Sequence, residues 1–279
     1  MKRFLIKNYK LFFIKLAGIL AFTMSVAGFL LVFYPLKAGI TDVQKIVMIL
    51  GSLLVNVIIA YSLSLPKLKI TLNVTPKVKV NVYYGDLFQV KTNIVIPFNE
   101  NFDTLVDNEV ISANTLHGKF INGIYGANVE KLNRVLEEKL KDIPYIECPD
   151  RSKGRTRKYP LGTTVHVEEG GKKYFLFVLS NFDKDHKASS SNKDYQLSIH
   201  SLLNYIHNHS QGDAVNIPLI GAGQSGIKLT KQELLEYLMF SIRLHENLTV
   251  SGGINIILHP SLRDEIDLNK IEYVNKIQQ

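Results

Sequence analysis

With 279 residues, 46% of them apolar, the chain is long enough to bury a core in one or two domains, and its single cysteine, Cys148, excludes an internal disulfide and fits a reducing compartment. The formal net charge of +8 is unevenly spread, because residues 1–65 carry seven Lys and Arg against one Asp, a net of +6. A basic excess confined to an apolar N-terminal segment points to a membrane surface rather than to nucleic acid.

Residues 16–33 and 46–65 are uncharged runs of 18 and 20 residues. Each can cross a hydrocarbon layer of about 30 Å as a helix. A cleaved signal peptide is the rival for the first run, but the stretch exceeds the usual apolar core of about 7–15 residues and a second span follows closely. Lys2, Arg3, Lys7, Lys10 and Lys15 precede the first run, and Lys67, Lys69, Lys77 and Lys79 follow the second. The positive-inside bias therefore places both chain ends on the cytoplasmic side. Ala17, Ala21, Ser25 and Gly28 form a small-residue stripe on the first helix, and Ser52, Asn56 and Ala60 form one on the second. Such stripes serve close packing within one hairpin or between protomers, with Asn56 as a hydrogen-bonding group. Residues 1–66 read as a transmembrane hairpin and 67–279 as a cytoplasmic domain.

Beyond Pro66, Leu68, Ile70, Leu72 and Val74 alternate with polar residues, as do Val78, Val80 and Val82, which predicts two half-buried strands. Residues 93–97 read as a buried strand, 128–142 as a helix through Leu132, Val135, Leu136 and Leu140, and 163–167 and 174–179 as strands joined across Gly170-Gly171. A helix over 194–209, a strand from Val215, a helix over 231–244 and a strand over 254–258 complete the order. Alternating strands and helices predict a parallel or mixed sheet covered on both faces, with ligands at the carboxyl ends of its strands. Residues 183–193, rich in Ser, Asp and Lys, read as a solvated loop, with a lid over a ligand as the alternative.

The run 215–227, Val-Asn-Ile-Pro-Leu-Ile-Gly-Ala-Gly-Gln-Ser-Gly-Ile, passes from a short β-branched strand into three glycines and then into a helix whose Thr230 and Glu233 have capping-box spacing. Glycines at 221, 223 and 226 allow successive amides to turn toward one anion. Three readings fit: a dinucleotide fingerprint, a plain glycine turn, and a clamp for the diphosphate of a nucleotide. The first is weakened by the late position and by the strand 254–258 ending in His259-Pro260 with no carboxylate for a ribose.

Three stretches stand in an informative order: Tyr84-Gly85-Asp86-Leu87, Ile94-Val95-Ile96-Pro97-Phe98-Asn99, and the run from Pro218 to Ile227. Together they resemble a macro domain, the ADP-ribose-binding α/β module. With the two N-terminal apolar helices, the chain is similar to the transmembrane macro-domain form of the ThsA family, effectors of the bacterial Thoeris antiphage system. The resemblance implies two transmembrane helices followed by a macro-like α/β/α sandwich with a mixed sheet, held in the bacterial inner membrane.

It also implies residue roles. Asp86, helped by the amide of Leu87, would receive the adenine amino group, and Asn99 would face the distal ribose, while the family's first Asn is replaced by Ile96. Amides of Gly221, Ala222, Gly223, Gln224, Ser225, Gly226 and Ile227 would hold the diphosphate from one side, and those of Leu116, His117 and Gly118 from the other. Hydrolytic members carry a glycine run and an acid in the early loop, whereas this chain has residues 112–123, Ser-Ala-Asn-Thr-Leu-His-Gly-Lys-Phe-Ile-Asn-Gly, with Asn122 at the acid's place. That favours reading a ligand over cutting one, so no cofactor, catalytic residue or metal is expected. A membrane-tethered ADP-ribosyl hydrolase using Asn122 or Asn99 is the alternative, and a two-span scaffold binding another protein is a third. The implied partners are a TIR-domain protein that makes an ADP-ribose-derived signal, in this branch joined to histidine, together with the lipid bilayer and further copies of the chain.

His200, His207 and His209 share one predicted helix without a Cys or paired carboxylate to complete a metal set, so capping of carbonyls is the better reading. Ser225 stands in Gly-Gln-Ser-Gly-Ile, which lacks the second glycine of a Gly-x-Ser-x-Gly nucleophile elbow, and no His–Asp pair can be assigned to it. Arg151, Lys153, Arg155, Arg157 and Lys158 read as a solvated basic loop, with lipid headgroups as the second choice.

Overall fold

A computed structural model describes residues 9–33, 40–182, 188–189, 191–223 and 227–277. The chain separates into two compact units, residues 1–67 and 68–279. In the first, α1 (Tyr9–Phe33) and α2 (Asp42–Ser64) pack on each other. Helix α2 starts at Thr41, whose hydroxyl accepts the Gln44 amide while Gln44 caps the Thr41 amide in return. Segments Phe12–Leu31 and Asp42–Ser64 are long and apolar enough to cross a membrane. Of the two predicted stripes, Asn56 and Ala60 of α2 are buried, with the Asn56 amide donating to Thr23 Oγ1 of α1 at 3.3 Å, whereas Ser52 and the α1 stripe of Ala17, Ala21, Ser25 and Gly28 are exposed. The Lys15 ammonium donates to the Leu63 carbonyl, which ties the ends of the two helices.

The second unit is built on a mixed sheet. Its strands are β1 (Lys69–Thr75), β2 (Val78–Tyr84), β3 (Asn93–Asn99), β6 (Thr164–Glu169), β7 (Lys172–Phe182), β9 (Val215–Pro218) and β10 (Ile254–Leu258). Across the sheet they stand in the order β1-β2-β10-β9-β3-β7-β6. A two-residue strand β8 (Ala188–Ser189) pairs with β7, and β4 (Ile146–Glu147) and β5 (Arg157–Lys158) form a separate ribbon. Strands β2, β10, β9, β3 and β7 run parallel, while β1 and β6 close the two edges antiparallel. The predicted alternation holds in β1, where Ile70, Leu72 and Val74 face inward and their neighbours are exposed.

The central strand β3 is buried on both faces, and its side chains divide between two cores. Val95 joins one core with β9 and β10 residues and with α5 (Asn192–His209), α6 (Lys231–Leu244) and α7 (Leu268–Ile277). Ile94, Ile96 and Phe98 join the other, under α3 (Leu116–Phe120) and α4 (Val129–Leu140). Helix α4 buries Leu132, Leu136 and Leu140, the i, i+4, i+8 stripe expected from sequence. Helices on both faces of a mixed sheet make the α/β/α sandwich.

Two elements differ from the sequence expectation. Residues 112–123, read as a loop, contain the short helix α3, which runs on through a π-turn over Ile121–Tyr125. Helix α7 is not signalled by the sequence, because its inward stripe Leu268, Ile271 and Asn275 ends in a polar residue. Asn275 is buried there because it accepts a hydrogen bond from Arg243 of α6.

Candidate functional site

Parallel strands point their carboxyl ends to one edge of the sheet, where ligands of open α/β sheets are held. The stretches singled out from the sequence leave from that edge: Asp86 after β2, Asn99 at the end of β3, and Leu219 to Ile227 after β9. Three strand steps separate β2 from β3, about 14 Å at the usual spacing, with the β9 loop between them. The loop 183–193, read as solvated with a lid as the alternative, lies partly outside the described residues, and Gln224, Ser225 and Gly226 lie wholly outside them.

Gly85 bridges to β10 by donating its amide to the Leu258 carbonyl at 2.9 Å. Asp86 follows as the cap of a short 3-10 turn over Leu87–Gln89, its carboxylate accepting the Phe88 amide at 3.0 Å. The carboxylate is exposed rather than buried, while Leu87 is buried. Asp86 thus keeps acceptor capacity facing solvent with its orientation already fixed.

Asn99 is 4% exposed, and its amide group is engaged on both sides. Its Nδ2 donates to Asp103 Oδ2 at 2.7 Å and its Oδ1 accepts the Asp103 amide at 3.0 Å. Asp103, with no exposed surface, also receives Arg151 in a two-pronged ion pair at 2.6 and 2.8 Å. The Asn99 side chain, expected to face a ribose, is therefore spent on fixing the turn after β3. This pairing also corrects the reading of the basic run as a merely solvated loop, since Arg151 locks residues 151–158 to that turn.

The early turn is organised by Thr115, whose Oγ1 accepts the Gly118 amide at 3.0 Å and caps α3. That bond uses the Gly118 donor, and leaves the amides of Leu116 and His117 ahead of the first intrahelical bond, which runs from Lys119 to Thr115. A Cβ on Gly118 would collide with the Ser112 carbonyl, so the close approach of α3 to residues 112–113 requires glycine. The His117 ring is buried, 3.6 Å from the Phe98 ring, with Nε2 2.9 Å from the Asp103 carbonyl oxygen. Burial lowers its pKa to about 4, so the ring is neutral in the fold. His117 contributes its main chain to the edge, and its side chain to the core.

A depressed histidine pKa has a definite sign. The unfolded chain binds a proton below about pH 6.5 that the fold resists until about pH 4, so stability is lost as pH falls through that window. The full contribution is about 3 kcal/mol at most. His117→Phe is expected to flatten the stability–pH curve between pH 6.5 and 4 in urea titrations, and an unchanged slope would count against a buried neutral ring.

The late turn is anchored from three sides. Tyr195 of α5, its phenol pushed to a higher pKa by burial, donates to the Ile220 carbonyl at 3.0 Å. The Ala222 amide donates to the Leu219 carbonyl at 3.2 Å, so it is not available to a ligand, and Lys231 reaches the Ala222 carbonyl. Gly221 has φ +85°, and a Cβ would lie 2.9 Å from Ile227 Cδ1 and 3.1 Å from Leu234 Cδ2. Its role is to fold the loop onto the core. Gly223, in contrast, is exposed, and among the described residues nothing lies within 4 Å of an added Cβ. Gly221→Val is expected to cost about 2–3 kcal/mol through the left-handed backbone and the clash, read as a fall in the denaturation midpoint. A change under about 0.5 kcal/mol would contradict that role. Helix α6 then begins with the anticipated capping box between Thr230 and Glu233.

The histidines of α5 are engaged separately: the His200 ring stacks on that of His245, 5.2 Å apart, and His207 Nδ1 accepts the Thr249 amide. Among the described residues there is no group of three His, Cys, Asp or Glu fit to hold a metal ion.

The family model "Thoeris protein ThsA, Macro domain" matches residues 80–259, from within β2 to just past the end of β10, and includes the turns after β2, β3 and β9. The chain belongs to the ThsA macro-domain family. The Thoeris protein ThsA of Bacillus amyloliquefaciens (strain Y2) is 26% identical over 242 residues, 83% of this chain and 79% of that one. Among solved structures, the Oceanobacillus iheyensis macrodomain with ADP covers 75% of this chain and 97% of its own at a TM-score of 0.51 and 12% identity. A single-residue mutant of the same macrodomain with ADPR covers 76% and 100% at 0.51 and 13%. At these identities the solved structures establish the macrodomain fold of the ThsA unit.

Two features of the ThsA site were missed in the sequence: the Thr115 cap, which stands before Leu-His-Gly-Lys with no helical pattern to mark it, and the Asp103–Arg151 pair, which joins residues 48 apart.

Proposed function

We propose that this ThsA-family chain is the membrane effector of an antiphage defence system. Its α/β unit binds an ADP-ribose-derived signal, ADP-ribose joined to histidine, made by a TIR-domain partner. Binding changes how copies of the chain associate, and the hairpins then disrupt the inner membrane, with cell death or growth arrest as the outcome. A ligand drives such a change only through unequal affinity for the two association states. Both termini lie in the cytoplasm in this reading, following the basic residues that flank the hairpin.

The observation that carries the reading is the convergence of two turns on one sheet edge: the early one with the Leu116 and His117 amides ahead of the first helical bond, the late one with an open backbone at Gly223. Main-chain donors on two sides suit a diphosphate, which needs several at once. Asp86, oriented by Phe88 and facing solvent, is placed for a base amino group. The solved macrodomain relatives with ADP and ADPR bound support the same ligand class.

The chain acts here as a receptor and not as a hydrolase. Asn122 is exposed on the π-turn, and Asn99 is bonded to Asp103, a carboxylate with no exposed surface that is already occupied by Arg151, so neither residue is placed with a free acid to activate water. Titration calorimetry on the full chain in detergent tests the reading with ADP-ribose and its histidine conjugate. Saturable heat with both, and recovery of the ligands unhydrolysed, is expected; absence of heat with either removes the proposal.

A further inference from the structure

The basic run 151–158 is fixed to the carboxyl end of β3 by several independent bonds. Arg155 donates its amide to Asp103 Oδ1 at 2.7 Å, Asn101 Nδ2 donates to the Arg157 carbonyl at 3.0 Å, and the Tyr159 amide donates to the Glu100 carbonyl at 2.8 Å. Arg151 adds the buried ion pair, and its Nη1 also reaches the Arg155 carbonyl. Between them Gly154 has φ +79°, and a Cβ there would collide with the Asp103 carboxylate. The backbone therefore approaches as closely as glycine allows. Because Asp103 is bonded to Asn99, the main chain of Arg155 stands two hydrogen bonds from the last residue of β3.

The five cations of this run differ in what they do. Arg151 pairs with Asp103, Lys153 with Glu109 and Asp107, and Lys158 with Glu100 at 2.8 Å. Arg157 lies 3.8 Å from Glu147 and stacks over the Tyr145 ring. Arg155 is only partly exposed, and among the described residues its guanidinium has no acid or carbonyl partner. A cation held partly out of water without a counterion is unfavourable unless something else supplies the charge. The fold uses several bonds and a positive-φ glycine to hold the main chain that bears it against the turn after β3, at the carboxyl edge of the sheet.

We propose that Arg155 is a specificity residue, which pairs with a carboxylate carried on the terminal ribose of the bound signal and so separates substituted ADP-ribose from ADP-ribose itself. The assignment rests on the reading of this edge as an ADP-ribose site and names the chemistry the edge takes beyond it. A guanidinium fits a carboxylate with two parallel hydrogen bonds, and the fixed main chain keeps the entropy cost of that geometry low. The phosphates are left to the main-chain donors of the two turns, so the two tasks are carried by different groups.

Calorimetry on the full chain with three probes tests this: ADP-ribose, its histidine conjugate, and the same conjugate with the carboxylate converted to carboxamide. The native chain is expected to bind the carboxylate form about tenfold more tightly than the carboxamide, the scale of a charge-assisted pair. Arg155→Gln should make the two equal, keep ADP-ribose affinity within about twofold, and leave the melting temperature unchanged, while Arg155→Lys retains part of the preference. No preference in the native chain, a preference that survives Arg155→Gln, or an equal loss of all three ligands in that variant overturns the assignment. If the native chain binds the carboxylate and carboxamide alike but still binds ADP-ribose, only this inference fails; if it binds none of the three, the underlying site fails with it.

Discussion

Gly223→Phe is expected to weaken ADP-ribose binding by more than about a hundredfold while leaving the melting temperature of the α/β unit unchanged. The expectation follows from the different roles of two nearby glycines. Gly221 folds the loop inward at φ +85°, where an added Cβ would meet Ile227, Leu234 and Tyr195, whereas Gly223 is exposed, lies outside the left-handed region, and has no atom of the described residues within 4 Å of an added Cβ. A side chain at Gly223 thus costs the fold nothing and fills space that a diphosphate would need beside the backbone donors. A hundredfold loss corresponds to about 2.7 kcal/mol of binding free energy. Retained affinity in a folded Gly223→Phe chain would mean that the loop is a plain glycine turn.

The second large effect concerns stability. Asp103→Ala is expected to destabilise the α/β unit by about 3–5 kcal/mol, because it leaves the Arg151 guanidinium, 12% exposed, without its partner. The same change frees Asn99, the Arg155 amide and the approach of Gly154, all of which converge on the Asp103 carboxylate. Denaturant titration measures it, and the double variant Asp103→Ala with Arg151→Met should recover part of the loss, since it removes the stranded charge. A loss below about 1 kcal/mol would show that the pair is not a structural clamp.

These two cases also show which features can be read from a chain of this kind. Interactions that close within one turn of helix or one pleat were legible: the Thr230–Glu233 box, the alternation of Ile70, Leu72 and Val74, and the stripe of Leu132, Leu136 and Leu140. The glycine loop was legible as a loop, but the sequence does not distinguish Gly221, which the core requires, from Gly223, which it does not. That difference depends on Tyr195 and Leu234, residues from helices on either side of the loop in the sequence.

Asn99 illustrates the converse problem. A motif placed its side chain toward a ligand, and the fold directs it to Asp103, four residues away, because a buried carboxylate needs every donor within reach. Asp103 gave no local signal of being buried, since its ion-pair partner Arg151 comes 48 residues later. Helix α3 was hidden for a related reason: Gly118 disfavours helix locally, and only its contact with the Ser112 carbonyl explains why glycine stands there.

The hairpin adds a constraint on any signalling scheme. Asn56 and Ala60 are buried between α1 and α2, with Asn56 bonded to Thr23, and are not available to another copy. The exposed stripe of Ala17, Ala21, Ser25 and Gly28 on α1 is left for contacts between copies within the bilayer, where small residues let helices approach closely.

The most direct measurement of the central claim is dye release from vesicles carrying the full chain, with ligand added to the side that bears the α/β unit. Release that begins only on adding the histidine conjugate of ADP-ribose, saturates with its calorimetric affinity, and is absent in Gly223→Phe is the predicted result. Release that proceeds equally without ligand, or tight binding with neither release nor any change in association state, would contradict the coupling of the nucleotide site to the membrane hairpin.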